Sequence, residues 1–315
     1  MSTAHLPNVD SQNAASAVTV EQLEIFSDDL KARADFARAA QIYREHGALI
    51  VRGLMKPYLV EVQRDIESAV RRAIELLPQA RKINEGWSTP DGTLWLPAPA
   101  GLEKVLGRDK QIMIPPVTYK TSGAFVRSAI DSKTLDIVEA IIGPDIELFM
   151  EGQCLYKEPV GGHPKHLHQD SAYFEHRFEG PVGVLCYAVD TDLQNGALHV
   201  VPGSHHFGTL DHIDTFSHLG LDGAEWPWER ALPLCGKAGD AIFFHYKTIH
   251  GSQENHSAKA RPVFIHRYRR PDDYVTINAT SAQSREENQK RADLADKQNQ
   301  HGWMVRGFRR FEEMS

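Results

Sequence analysis

"GDAIFFHYKTIHGSQENHSAKARPVFIHRY" runs from Gly239 to Tyr268. Two apolar runs, "DAIFFH" and "PVFIHRY", flank a polar middle, and Gly239-Asp240 marks a turn before the first. Both read as short strands. His250 follows the first strand and is itself followed by Gly251 and Ser252, and Arg261 comes eleven residues later to open the second strand. The same texture extends back to Gly143-Pro144. "IELFME", "QCLYKE", "VGVLCYAV" and "ALHVV" are strand-like, separated by turn signals at Gly161-Gly162, Asn195-Gly196 and Pro202–Ser204. Many short strands with such punctuation predict a barrel or a double-sheet jelly roll.

The chain before this region is helical in character. Leu30, Ala34, Ala37, Ala40 and Tyr43 recur at helical spacing over Asp28–Glu45, and Gly47 ends the run. "ALIVRGL" (Ala48–Leu54) reads as a buried strand. Pro57 opens a second helix whose apolar face is Leu59, Val62, Ile66, Val70, Ile74 and Leu77. A third helix is expected over Ser122–Ile142, with Phe125, Leu135, Val138, Ile141 and Ile142 as its apolar positions. Between them, residues 78–116 are rich in Pro, Gly and Trp and read as a long functional loop, with Trp87 and Trp95 as lid residues. Residues 1–20 read as a flexible leader. The expected organisation is one domain over 21–315, with a helical part at about 28–142, a β core at about 144–270 and a tail at about 278–315. That tail reads as polar and helix-prone in "SREENQKRADLADKQNQ", ending in "WMVRGFRRF", which is expected to dock on the barrel or on a partner.

Totals narrow the function classes. A net charge of −7 and a pI of about 6.1 argue against nucleic-acid binding. No apolar run reaches the roughly 20 residues needed to span a bilayer. Cys154, Cys186 and Cys235 form no CxxC pair, which fits a reducing cytoplasm rather than a disulfide scaffold. No phosphate-binding glycine loop and no GxSxG nucleophile elbow is present.

Histidine is the unusual component, at 16 residues. "KHLHQDSAYF" (Lys165–Phe174) contains His168-Gln169-Asp170. On an extended strand, residues two apart point to one side, so an HxD triplet aims an imidazole and a carboxylate at a common point. About one such triplet is expected by chance with this many histidines, so alone it leaves a metal site and a polar turn both open. A second histidine from a distant strand would complete a 2-His-1-carboxylate set, which leaves open positions on Fe(II). Arg261 suits a buried carboxylate, because its planar fork binds that group in a bidentate way.

Taken together, "HLHQD", "NGALHVVPGSHHFG", "GDAIFFHYKTIHGSQEN" and the arginine of "KARPVFIHRY" resemble the phytanoyl-CoA dioxygenase (PhyH) family of Fe(II)/2-oxoglutarate-dependent oxygenases, from about "YREHGALIVRGL" to "FIHRY". The resemblance implies an α+β fold: a double-stranded β-helix (jelly-roll, cupin-like) core with N-terminal helices packed outside. It implies His168, Asp170 and His250 as iron ligands, and 2-oxoglutarate and O2 as co-substrates. It also implies 2-oxoglutarate contacts at Arg261 and Ser252, with Lys120 in "VTYKTSGAF" and Met150 nearby. Hydroxylation of a small molecule with release of succinate and CO2 is the implied activity. Relatives often carry a tryptophan near the co-substrate where this chain has Cys186 or Tyr187.

Position suggests substrate-facing residues. Tyr173, Phe174, His176 and Arg177 follow the triplet. His166 shares its alternation, and His163 and Lys165 precede it. Lys157 lies on an earlier strand, and Arg267 shares a strand face with Arg261. Such a set suggests an anionic or zwitterionic substrate. The rival readings are a non-catalytic jelly-roll metal-binding protein and a metalloenzyme using no 2-oxoacid. Arg261 argues against the second. His205 and His245 read as structural histidines, while His199 precedes and His206 lies within the same "VVPGSHHFG" stretch.

Overall fold

A computed structural model describes residues 18–83, 86–215, 218–275 and 301–309. A short edge strand, β1 (Glu24–Phe26), leads into α1 (Arg33–His46), and β2 (Ala48–Arg52) follows. Gly47 ends α1 in the left-handed conformation, with φ of 70°. A Cβ there would meet His205 Nδ1 and Thr248 Oγ1 at 2.4 Å, so glycine is needed for the turn and for the close approach. The buried face of α1 is Ala39, Ala40 and Tyr43; Ala34 and Ala37 are exposed, contrary to the sequence expectation. The next helix, α2 (Leu59–Leu76), buries Val62, Ile66, Ala73 and Leu76, and leaves Ile74 exposed.

Residues 78–116 are not a loop. They form an antiparallel sheet of β3 (Arg81–Ile83), β4 (Gly86–Ser88), β5 (Leu94–Pro97) and β6 (Lys110–Ile114), with α3 (Ala100–Leu106) between the last two strands. Trp95 is core here, its indole N–H donating to Thr89 Oγ1 at 3.1 Å. The expected third helix is two: α4 (Gly123–Ala129) and α5 (Ser132–Ile142). Asp131 breaks the run by capping α5, accepting from the Thr134 N–H at 2.9 Å, while Ser122 caps α4.

The β core begins with β7 (Ile146–Leu148), β8 (Gln153–Lys157), β9 (Lys165–His168), β10 (Val182–Tyr187) and β11 (Leu198–Val200). After a small hairpin, β12 (Ile213–Asp214) and β13 (Leu219–Gly220), come β14 (Leu232–Leu234), β15 (Ala241–His245), β16 (His250–Ser252) and β17 (Arg261–Arg269). The last strand, β18 (Trp303–Arg306), pairs with β7. The first part of "WMVRGFRRF" therefore closes an edge of the barrel. The helix-prone stretch 284–300 and residues 1–17 lie outside the described residues. Val18 and Val20 pack on a buried cluster.

Two sheets face each other. The larger runs β1-β2-β15-β10-β17-β7-β18, with β8 also on β17; the smaller runs β14-β11-β16-β9. Strand alternation sorts the side chains of β10. Leu185 and Tyr187 point between the sheets with Leu198, Val200, Phe244 and Val263. Val184 and Cys186 point outward, against α1, α2 and α4. This is a jelly-roll core with its helices packed on one outer face, as expected from the sequence.

Candidate metal centre

Register builds the centre. His250 on β16 lies opposite His168 on β9. The 3-10 turn Asp170–Ala172 begins one residue after β9, but Gln169 stays extended at φ −116° and ψ 138°. The two-residue alternation therefore survives as far as Asp170, although the aspartate is not itself on the strand. Gln169 is fully buried and pins this bend: its amide donates to Gly208 O and Lys247 O, and its Oε1 accepts from the Leu210 N–H.

The ligand atoms of His168, Asp170 and His250 lie within 4.8 Å of one another, all three residues being buried. Asp170 Oδ1 is 3.9 Å from His168 Nε2 and 3.8 Å from His250 Nε2. Each imidazole is oriented from behind: His168 Nδ1 donates to His166 O at 2.8 Å, and His250 Nδ1 donates to Thr248 O at 2.9 Å. That fixes the tautomer with Nε2 free as a metal donor. Burial holds His168 well below the ordinary imidazole range, assisted by the neighbouring His250 and His218. Burial also lowers His250, against the pull of the Asp170 carboxylate. Two neutral imidazoles and a carboxylate in this geometry suit a divalent transition metal with part of its coordination shell open.

A cavity of about 280 Å3 opens onto the triad. The inward face of β17 lines it with Arg261, Val263, Ile265 and Arg267, as period two predicts. Arg261 is buried. Its Nη2 donates to Gly196 O, in the Asn195-Gly196 turn, while its Nε has no hydrogen-bond partner among the described residues. Burial pushes Arg261 down to about 10, which leaves it cationic at neutral pH. A buried guanidinium with an unpaired N–H is a cradle for an anion. Ser252 lines the same cavity.

Other expected site residues are distributed unevenly. Tyr173, Phe174 and Arg267 line the cavity. Arg267 lies 3.5 Å from Asp170 Oδ2, and Tyr173 Oη accepts from the Leu219 N–H at 2.8 Å. Met150 lines it too, but from the turn between β7 and β8 rather than from a strand. Lys120 does not: it sits on an exposed turn, paired with Glu151. Lys157 is buried beside Arg261 in register, yet its ammonium turns away to His163 O at 2.6 Å and Ser252 O at 3.3 Å. His176 packs against Phe149 and Tyr246, behind the cavity wall. Arg177 lies over Phe178 and Tyr274.

His166 is outside as well, stacked on His218. The pairing explains why. His250 faces His168 but Ser252 faces Lys165, so β9 carries one extra residue, a bulge. The bulge reverses the alternation upstream of His168 and brings Lys165, not His166, to the cavity. His163 donates its backbone N–H to Gln111. Trp87 stands on a separate surface cleft, and the chain enters the cavity from that region through Met113 and Ile114. Leu185, not Cys186 or Tyr187, lines the cavity from β10. His218, Gln153 and Leu155 also line it; no spacing signal in the sequence marks them. His199, His205 and His245 are structural, hydrogen-bonded to Ala197 O, to Arg44 O and to the Lys247 N–H.

The model of the family described as phytanoyl-CoA dioxygenase (PhyH) matches residues 43–263. A probable alpha-ketoglutarate-dependent hypophosphite dioxygenase of Stutzerimonas stutzeri is 29% identical over 171 residues, which are 52% of this chain and 58% of that protein. Peroxisomal phytanoyl-CoA dioxygenase of Rattus norvegicus is 29% identical over 162 residues, 47% of this chain and 46% of that protein. The chain spans about half the length of the curated relatives it matches. In fold, it is similar to the non-heme alpha ketoglutarate dependent carbocyclase SnoK from nogalamycin biosynthesis. The TM-score is 0.56 at 15% identity, over 93% of this chain and 97% of that one. With the match covering well over half of its length, the chain belongs to the phytanoyl-CoA dioxygenase family.

Proposed function

We propose that this protein is an Fe(II)- and 2-oxoglutarate-dependent oxygenase that hydroxylates a small molecule. The observation that carries the reading is a conjunction: a buried His168–Asp170–His250 set and a buried, incompletely partnered Arg261 open onto one cavity. When bound, iron and 2-oxoglutarate supply oxygen activation, with release of succinate and CO2.

The residues divide the remaining work. His168 and His250 present neutral Nε2 donors, and Asp170 supplies charge on one face, leaving positions for a bidentate co-substrate and O2. Arg261 and Ser252 would hold the distal carboxylate of 2-oxoglutarate. Tyr173, Phe174 and Arg267 would form the substrate wall at the Asp170 end. Retention of Asp170 favours hydroxylation over halogenation, which needs that carboxylate position vacated. The cavity, about 280 Å3, sits at the lower edge of the roughly 300–1,000 Å3 of ligand sites. A cavity of this size suits a small reacting group beside the co-substrate. All three cysteines are unpaired, consistent with a reducing cytoplasmic setting. No helix among the described residues is long and apolar enough to cross a membrane.

Anaerobic addition of Fe(II) and 2-oxoglutarate tests this reading. The wild type is expected to develop a weak visible charge-transfer band that His168→Ala abolishes. A wild type without the band, or a band unchanged in His168→Ala, contradicts it. Succinate release across a metabolite panel then identifies the substrate.

A further inference from the structure

We propose that Lys165 is an anion anchor of the cavity that selects a substrate bearing an acid group. The inference rests on the oxygenase reading, because its charge balance counts iron and 2-oxoglutarate.

Lys165 is three residues from His168, and strict alternation would put the two on opposite faces. The β9 bulge puts both on the cavity. Among the described residues the ammonium's hydrogen-bond partner is Met113 Sδ at 3.9 Å, and a thioether is only a weak acceptor. Among the described residues no carboxylate pairs with it. Burial pushes Lys165 down to about 8, so it stays mostly protonated at neutral pH. Arg267, the other cation of the wall, lies 3.5 Å from Asp170 Oδ2 and 5.8 Å from the centre of the Phe174 ring.

In the loaded site, Fe(II) and Arg261 together balance Asp170 and the two carboxylates of the co-substrate. Arg267 keeps the Asp170 carboxylate beside it at 3.5 Å, whereas Lys165 is left without a counter-charge at the cavity wall. Buried cations without partners are costly, and the remaining ligand is what can supply the negative charge. Lys157 does not enter this balance, because its ammonium is held by two carbonyls away from the cavity. The substrate class is therefore a small oxyanion, a carboxylate or a phosphorus oxyanion, seated a few bonds from the oxidised position.

The test uses the full chain loaded anaerobically with Fe(II) and 2-oxoglutarate. Methylphosphonate and propionate are the probes, against their neutral counterparts dimethyl methylphosphonate and propionamide. Binding is read by calorimetry and by displacement of the charge-transfer band. The anions are expected to bind and the neutral compounds not. Lys165→Gln should weaken the anions by at least about tenfold, Lys165→Arg should restore them, and 2-oxoglutarate affinity should hold in both. Equal binding of neutral probes, or no anion binding by the wild type, overturns the proposal. So does a Lys165→Gln variant that loses 2-oxoglutarate instead, which would place Lys165 on the co-substrate. Absence of the band from the wild type is a different failure, that of the oxygenase reading itself.

Discussion

Gly251→Ala is the substitution whose consequence can be worked out most fully. Gly251 lies between His250 and Ser252 on β16, facing the bulged part of β9. A Cβ at this position would stand 2.8 Å from Lys165 O and 3.0 Å from both the carbonyl carbon and the oxygen of His166. All three are backbone atoms, so no side chain can swing aside. Ordinary contact starts near 3.4 Å, so β9 must retreat by about 0.6 Å, the difference between 3.4 and 2.8. Overpacking of this kind costs about 1–3 kcal/mol, a fall in Tm of roughly 1.5–5 °C for a chain of 315 residues. The site is hit harder, because the retreating segment carries His168 and the carbonyl of His166 that orients it. A misplacement near 1 Å can cost about a hundredfold, so a shift of about 0.6 Å predicts a loss of roughly tenfold in turnover and weaker Fe(II) binding. Thermal melting and Fe(II) titration of the charge-transfer band measure both. Gly101→Ala is the control, since a Cβ there meets nothing within 4 Å. If Gly251→Ala melts and binds Fe(II) like the wild type, the bulge does not position the site as argued.

Arg261→Met should raise the 2-oxoglutarate KM by about a hundredfold or more, the 3–5 kcal/mol scale of breaking a buried ion pair, while Fe(II) binding persists; an unchanged KM refutes the assignment. Asp131→Ala removes the α5 cap and the Tyr58 hydroxyl partner, and should cost about 1–2 kcal/mol in urea unfolding without altering the charge-transfer band. Burial pushes His176 and His266 down to about 3, from 6.5 when unfolded. The unfolded chain therefore takes up protons first as pH falls, so the stability these neutral imidazoles carry is present above 6.5 and lost below it, by up to about 1.4 kcal/mol per group per pH unit. A urea midpoint at pH 5.5 equal to or above that at pH 7.5 contradicts this.

The β core was legible because its strands are short, apolar and separated by turn dipeptides that act locally. The metal set was legible for a similar reason: HxD alternation and the His250–Arg261 spacing are properties of single strands. What escaped depends on pairing between strands. The bulge in β9 is a register relation between two segments more than 80 residues apart, and it exchanges Lys165 for His166 at the cavity. The sheet over residues 81–114 was hidden because its strands are three to five residues long and two carry prolines or glycines that mimic loop composition. The break between α4 and α5 was readable in principle, since Asp131 stands three residues before Thr134 as a cap. The apolar periodicity running through both helices concealed it. His218 reaches the cavity through the hairpin around β13, a tertiary placement no local pattern announces.

A crystal structure of the full chain, loaded anaerobically with Fe(II) and 2-oxoglutarate, tests the central claim most directly. The account predicts one metal ion held by His168 Nε2, Asp170 and His250 Nε2, with the distal carboxylate of 2-oxoglutarate on Arg261 and Ser252. A metal bound elsewhere, a site ligated by His166 or His218 in place of His168, or a co-substrate that leaves Arg261 uncontacted would contradict it.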